Sequence, residues 1–127
     1  MLNSKQKTNI KDSNARQYDL EDRSKFFAKR VNDLVRKLPN DIPNRENGKQ
    51  LVRSAGSVAA NYIEANESLS KKDFTMRIKI AKKEAKETRL WLELIRPLGA
   101  DKKEVAELLQ EATELMKILG AILEKTK

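Results

Sequence analysis

An all-α, antiparallel up-and-down four-helix bundle is the fold class this sequence predicts, on three observations. From Phe74 to Ile95 the apolar or small residues fall at 74, 78, 81, 85, 88, 92 and 95, alternating steps of four and three that mark one face of a long helix. Three other segments carry stripes of the same kind, and no segment alternates in the strand manner. At 127 residues and 14.6 kDa, the chain is one domain large enough for a core.

Residues 1 to 22 mix Lys5, Lys7, Lys11 and Arg16 with Asp12, Asp19, Glu21 and Asp22, with few apolar residues and no periodicity, so they are expected to be a disordered polar tail ahead of a bundle domain over 23–127. Ser24 is the expected N-cap of the first helix. Its stripe is Phe27, Val31, Leu34, Val35 and Leu38, and Pro39 stops it. The connection PNDIPN leads to a second helix from Asn44 to about Leu69, with Leu51, Ala55, Val58, Tyr62, Ala65 and Leu69 facing inward. Beside that stripe, Ser54, Ser57, Asn61, Glu64 and Ser68 form a small or polar edge that another helix can approach closely. Gly56 costs about 1 kcal/mol relative to alanine within a helix, which predicts a close contact there to offset it.

Ser70 and Asp73 resemble a capping box for the third helix, so the second and third form a hairpin. The third ends near Arg96, where Pro97 and Gly99 break the pattern, and Asp101 with Glu104 caps the fourth. There Val105, Leu108, Leu109, Ala112, Leu115, Met116, Leu119, Ile122 and Leu123 make a broad apolar face.

Charge points outward from this frame. The net charge is +8 and the pI about 9.7, which favours polyanions such as RNA, DNA or an anionic membrane face. Residues 23 to 38 hold six Lys/Arg against one Asp, and residues 69 to 99 hold nine against four acids. On the third helix Lys72, Lys79, Lys82, Lys83, Lys86 and Arg89 occupy one flank away from the core stripe. That flank is either an ordinary solvated face or a phosphate-binding surface. No aromatic residues interleave these lysines, which argues against single-strand stacking. The opposite flank, Ile80, Glu84, Glu87, Trp91 and Leu94, is a candidate subunit interface, or else Trp91 covers the edge of the core.

Catalysis and metal binding find little support. The chain has no histidine and no cysteine, which removes thiol chemistry, disulfides and the Glu-x-x-His pairs of di-iron bundles. The pairs Glu64/Glu67 and Glu84/Glu87 therefore predict no metal site. Ser54 and Ser57 lack a histidine base, and neither a phosphate-binding glycine loop nor a dinucleotide fingerprint is present. The expectation is a non-enzymatic protein without a cofactor. No apolar run approaches the length of a membrane span and no signal-peptide pattern opens the chain, so a cytoplasmic location is expected.

The run RSAGSVAANYIEANESLSKKDF from Arg53 to Phe74, followed by RIKIAKKEAKETRLWLELI from Arg77 to Ile95, resembles the bacterial four helix bundle protein family. That family includes proteins encoded in intervening sequences of large-subunit ribosomal RNA genes and is related to accessory proteins of diversity-generating retroelements. The similarity spans about residues 24 to 124. It is most specific at Arg53-Ser54, Ser57-Val58, Asn61 and Glu64, then at Phe74, Ala81, Glu84 and Trp91-Leu92. The resemblance implies a ring-like homopentamer, and for the retroelement relatives a basic surface that binds nucleic acid and a reverse transcriptase. Arg53, Asn61 and Glu64 then form either a polar network at a subunit boundary or one between helices of a single subunit. Glu84 and Glu87 are expected to pair with Arg77, Arg53 or Arg89.

Two functions follow as expectations. One is a non-enzymatic oligomer that binds structured RNA or duplex backbone through the lysine flank. The other is a structural or adaptor oligomer that binds a protein partner.

Overall fold

The computed structural model describes the backbone from Ser4 to Lys127 and the side chains from Asp19 onward. Its helices are α1 (Ser4–Arg36), α2 (Ile42–Asn66), α3 (Lys71–Leu94) and α4 (Lys102–Lys125), with a 3-10 turn at Gly99–Asp101. No strand occurs among the described residues. Each helix packs on its neighbour in sequence, and α4 closes back onto α1. Cross-helix contacts fix the directions. Asn44, Arg53 and Asn61 of α2 meet Arg96, Glu84 and Arg77, in descending order. Arg23 and Arg30 of α1 meet Glu111 and Glu104, descending likewise. Both pairs are antiparallel, and the molecule is an up-and-down four-helix bundle.

The core follows the helix-period stripes. Phe27, Val31 and Leu34 of α1 meet Leu51, Ala55, Val58 and Tyr62 of α2, while α3 adds Ile78, Ala81, Ala85 and Leu92 and α4 adds Leu108, Ala112, Leu115 and Leu119. Alanines on α2, α3 and α4 face the axis, which lets the helices approach closely.

Five boundary details differ from the sequence reading. Ser24 is not an N-cap but lies buried within α1, and Leu20, 7% exposed, belongs to the core. Positions 20, 24, 27, 31 and 34 form one continuous stripe, so the bundle includes residues before 23. The remainder of the expected tail, residues 1 to 18, lies outside the residues described at side-chain level. Secondly, α2 starts two residues early, because the Asp41 side chain accepts from the Asn44 N–H at 2.8 Å and Pro43 fits the first turn. Thirdly, Leu69 is 99% exposed rather than inward. The chain leaves the helix at Asn66 and turns so that Ser70, extended at φ −138 and ψ 156, accepts from the Asp73 N–H and caps α3. Fourthly, Asp101 makes no capping bond through its side chain; it accepts from Lys37 Nζ at 3.1 Å. Finally, a Cβ on Gly56 would meet nothing within 4 Å, whereas one on Gly48 would lie 3.2 Å from Val35 Cγ1. The close approach between α1 and α2 falls at Gly48.

Asn44 ties the loops together. Buried in the first turn of α2, it donates from Nδ2 to the carbonyls of Pro39 (3.1 Å) and Arg96 (3.0 Å) and accepts the Arg96 N–H at Oδ1 (2.8 Å). One amide thus pairs backbone groups of both connections at this end of the bundle.

Candidate nucleic-acid interface

Helix α3 holds its outward side chains in a fixed register because its inward stripe is anchored along the whole length. Ile78, Ala81, Ala85, Thr88 and Leu92 are buried. Lys72, Lys79, Lys82, Lys83 and Lys86 are all exposed. Lys72, Lys79 and Lys86 recur every seven residues, roughly 10 Å apart along the axis. None of the five forms an ion pair within 4 Å among the described residues. Lys82 differs from the others: it reaches across to α4, where a Cβ on Gly120 would lie 3.6 Å from its Nζ. Glu124 is close by, its carboxyl held below the usual range first by its hydrogen bond from Lys127 and to a lesser degree by Lys82. Arg89 is half-buried at the edge of the face, its Nε enclosed and without a hydrogen-bond partner among the described residues, so it does not share the lysines' exposure.

The basic excess of α1 has a different fate. Arg23 forms two bonds of 2.7 Å to Glu111 and a third contact of 3.2 Å to Glu114. The Glu111 bonds raise its guanidinium above the ordinary arginine value, against the opposing effect of burial. Arg30 makes the same bidentate contact with Glu104 and reaches Glu107 at 3.0 Å. Lys37, seven residues further on, pairs with Asp101. Arg36 and Lys25 pair locally with Asp33 and Asp22. Among the described residues, most cations from Arg23 to Lys37 are therefore matched inside the molecule, Arg23, Arg30 and Lys37 against carboxylates at or within α4. Sequence sums by segment cannot show this, because the partners lie more than sixty residues apart.

The opposite flank of α3 meets α2 through polar groups. Arg53 donates to Glu84 at 2.8 Å and to Glu87 at 3.3 Å. Arg77 and Arg89 are not the partners of these carboxylates: Arg77 donates to Asn61 Oδ1 at 3.2 Å. Asn61 in turn donates to the Ser57 carbonyl and hydroxyl, both at 2.9 Å. Deeper in the same seam, the Thr88 hydroxyl donates to the Glu84 carbonyl at 2.7 Å and meets the Ser54 hydroxyl at 2.8 Å. Burial by itself would raise the Glu84 carboxyl. Hydrogen bonds from Arg53 and Ser57, the contact with Glu87 and the Arg53 charge outweigh it and hold the group below the usual carboxylate range.

Arg53 and Asn61 thus belong to a network within one chain. Glu64 is exposed beside a shallow recess shared with Arg77 and Met76. Trp91 packs on the core from its edge, its Nε1 enclosed and without a hydrogen-bond partner among the described residues, Ile80 is half-buried, and Leu94 is 47% exposed. The sequence reading missed Asn44 and the α1 to α4 ion pairs. The seven-residue spacing of Arg23, Arg30 and Lys37 was the available signal for the latter. Among the described residues no group of three acidic side chains is placed to hold a metal ion, and no helix is long and apolar enough to cross a membrane.

A bundle of this topology with a cationic helix face defines a class of small basic all-α proteins, and comparison with known proteins narrows it. The chain belongs to the 23S rRNA-intervening sequence protein family, whose profile matches residues 9–121. It is similar to a crystal structure from Bacteroides thetaiotaomicron VPI-5482, described as a protein with unknown function from the S23 ribosomal protein family. The two share 32% sequence identity over 85% of this chain and 97% of that one, with a TM-score of 0.71. No curated protein matches the chain.

Proposed function

We propose that this protein is a non-enzymatic, oligomeric four-helix bundle of the cytoplasm that binds structured RNA or duplex nucleic acid through α3. The observation that carries this reading is the division of charge among the described residues: Arg23, Arg30 and Lys37 are spent on carboxylates within the chain, whereas Lys72, Lys79, Lys83 and Lys86 are exposed and free of carboxylate partners. A straight row of ammonium groups without stacking aromatics suits backbone phosphates rather than splayed bases. Oligomerisation, as the pentamer implied by the family resemblance, would multiply a weak patch by avidity. The seam around Ile80, Trp91 and Leu94 is the proposed subunit contact, since Leu94 is exposed beside the half-buried Trp91.

The test is a titration of the purified protein with a structured RNA and a duplex DNA across a salt series. Four phosphate contacts predict an affinity loss of about a hundredfold between 50 and 200 mM salt. Lys79→Glu, Lys82→Glu and Lys86→Glu together should abolish binding and leave the mass in solution unchanged. Absence of binding at low salt would leave the adaptor reading in front, which the exposed Leu90 and Leu94 on α3 favour.

A further inference from the structure

A second surface, distant in sequence from the lysine face, has its own chemistry. Where the C-terminal end of α1 meets the first half of α2, a groove of about 500 Å³ opens to solvent, floored by Val35, Leu38 and Val52. The charged side chains that line it are Arg45 and Lys49, both cationic and both exposed. Among the described residues, Arg45 is engaged by Asn40 alone, and Lys49 has one exposed contact, with Glu46 at 3.9 Å. Ile42, near one end, is 66% exposed. The groove runs beside roughly three turns of α2, about 15 Å.

We infer that this groove docks an amphipathic acidic helix of another protein, with its apolar residues on the floor and carboxylates against Arg45 and Lys49. Charge complementarity selects the occupant. A nucleic acid would find the two cations but leave the apolar floor uncovered. A lysine-rich segment would meet like charge. The molecule itself shows the matching chemistry once: on its other side, α1 receives α4, whose leucine face is flanked by glutamates that pair with Arg23 and Arg30. Among the described residues of a second copy, α4 carries that leucine-and-glutamate pattern, and there Glu104, Glu107, Glu111 and Glu114 are already engaged by its own α1. The fitting partner is therefore a different chain.

Fluorescence anisotropy with labelled peptides of about 14 residues tests this on the full-length protein. One peptide carries leucines at helix period and glutamate elsewhere, a second replaces glutamate with lysine, and a third replaces leucine with alanine. The glutamate peptide should bind, and the other two should not. Arg45→Glu with Lys49→Glu should weaken the glutamate peptide about tenfold and admit the lysine peptide; Arg45→Ala with Lys49→Ala should weaken the former by less. Circular dichroism checks that each variant is folded. The inference is overturned if reversal leaves the glutamate peptide unaffected or if no peptide binds at millimolar concentration. It is equally overturned if reversal lowers the protein's mass in solution, marking a self-contact, or removes binding of a duplex RNA, marking a phosphate site.

Discussion

Arg30 of α1 and Glu104 of α4 are joined by two parallel hydrogen bonds, Nε to Oε1 at 3.1 Å and Nη2 to Oε2 at 3.0 Å. Arg23 and Glu111 repeat the arrangement two turns away. Because the two helices are antiparallel, a seven-residue step on α1 meets a seven-residue step on α4, and the charges register like rungs. Such rungs do more to set the position of α1 than to stabilise the fold. Both partners at Arg30 are about a third exposed, and a pair in that setting contributes about 0.5–1 kcal/mol. A double-mutant cycle of Arg30→Ala and Glu104→Ala, followed by urea unfolding, should return a coupling of that size. A coupling of zero would show that the bidentate geometry contributes nothing to stability.

Asn44 should matter more than its size suggests. Asn44→Ala removes four side-chain hydrogen bonds and leaves the Arg96 N–H and carbonyl without their partner, while the Pro39 carbonyl still accepts from the Asp41 N–H. A loss of about 1–3 kcal/mol in unfolding free energy is expected. Unchanged stability would mean that water replaces the amide at no cost.

The two helical glycines of α2 should respond differently to alanine. Gly56→Ala meets open space and gains helix propensity, so it should stabilise the chain by about 0.5–1 kcal/mol. At Gly48 the same gain is opposed by the 3.2 Å approach to Val35 Cγ1, and Gly48→Ala should fall short of Gly56→Ala in thermal midpoint. A destabilised or lower-mass Gly56→Ala protein would instead reveal a surface that covers position 56.

Acid should act through Glu84. Its carboxyl is held below the ordinary value in the folded chain, so the unfolded chain binds the proton more readily. Its stabilising contribution is therefore complete above the ordinary carboxylate value and is lost as pH falls through the lower, folded one. Unfolding followed from neutral pH into that acidic range should show a shallower loss in Glu84→Gln than in the unsubstituted protein. Identical slopes would exclude Glu84 as a contributor.

How much of this was legible in the sequence differs from element to element. The α3 stripe from Phe74 to Ile95 and the Ser70 cap were readable because period and cap chemistry are local. The inward assignment of Leu69 failed because periodicity alone does not know where a helix stops; the cap of the next helix required an extended Ser70. Ser24 read as a cap because a polar residue precedes Phe27, yet the stripe continues past it to Leu20. Asp101 and Glu104 had the right types for a helix start, but Lys37 and Arg30 claim them. Charge sums located the basic segments without showing that Arg23, Arg30 and Lys37 are matched across the bundle. The groove beside Arg45 and Lys49 depends on how α1 and α2 diverge, which no local pattern encodes.

The phosphate-binding role of the α3 face is tested most directly by two charge-matched triple reversals in one RNA titration at low salt. Lys79→Glu, Lys82→Glu and Lys86→Glu alter the α3 face; Lys25→Glu, Lys29→Glu and Arg36→Glu alter exposed cations of α1 that make no ion pair with α4. Loss of RNA affinity in the α3 variant, with affinity largely retained in the α1 variant, is the predicted result. Equal losses would mean that net charge alone attracts the RNA, and an α3 variant that binds as before would contradict the assignment of that face.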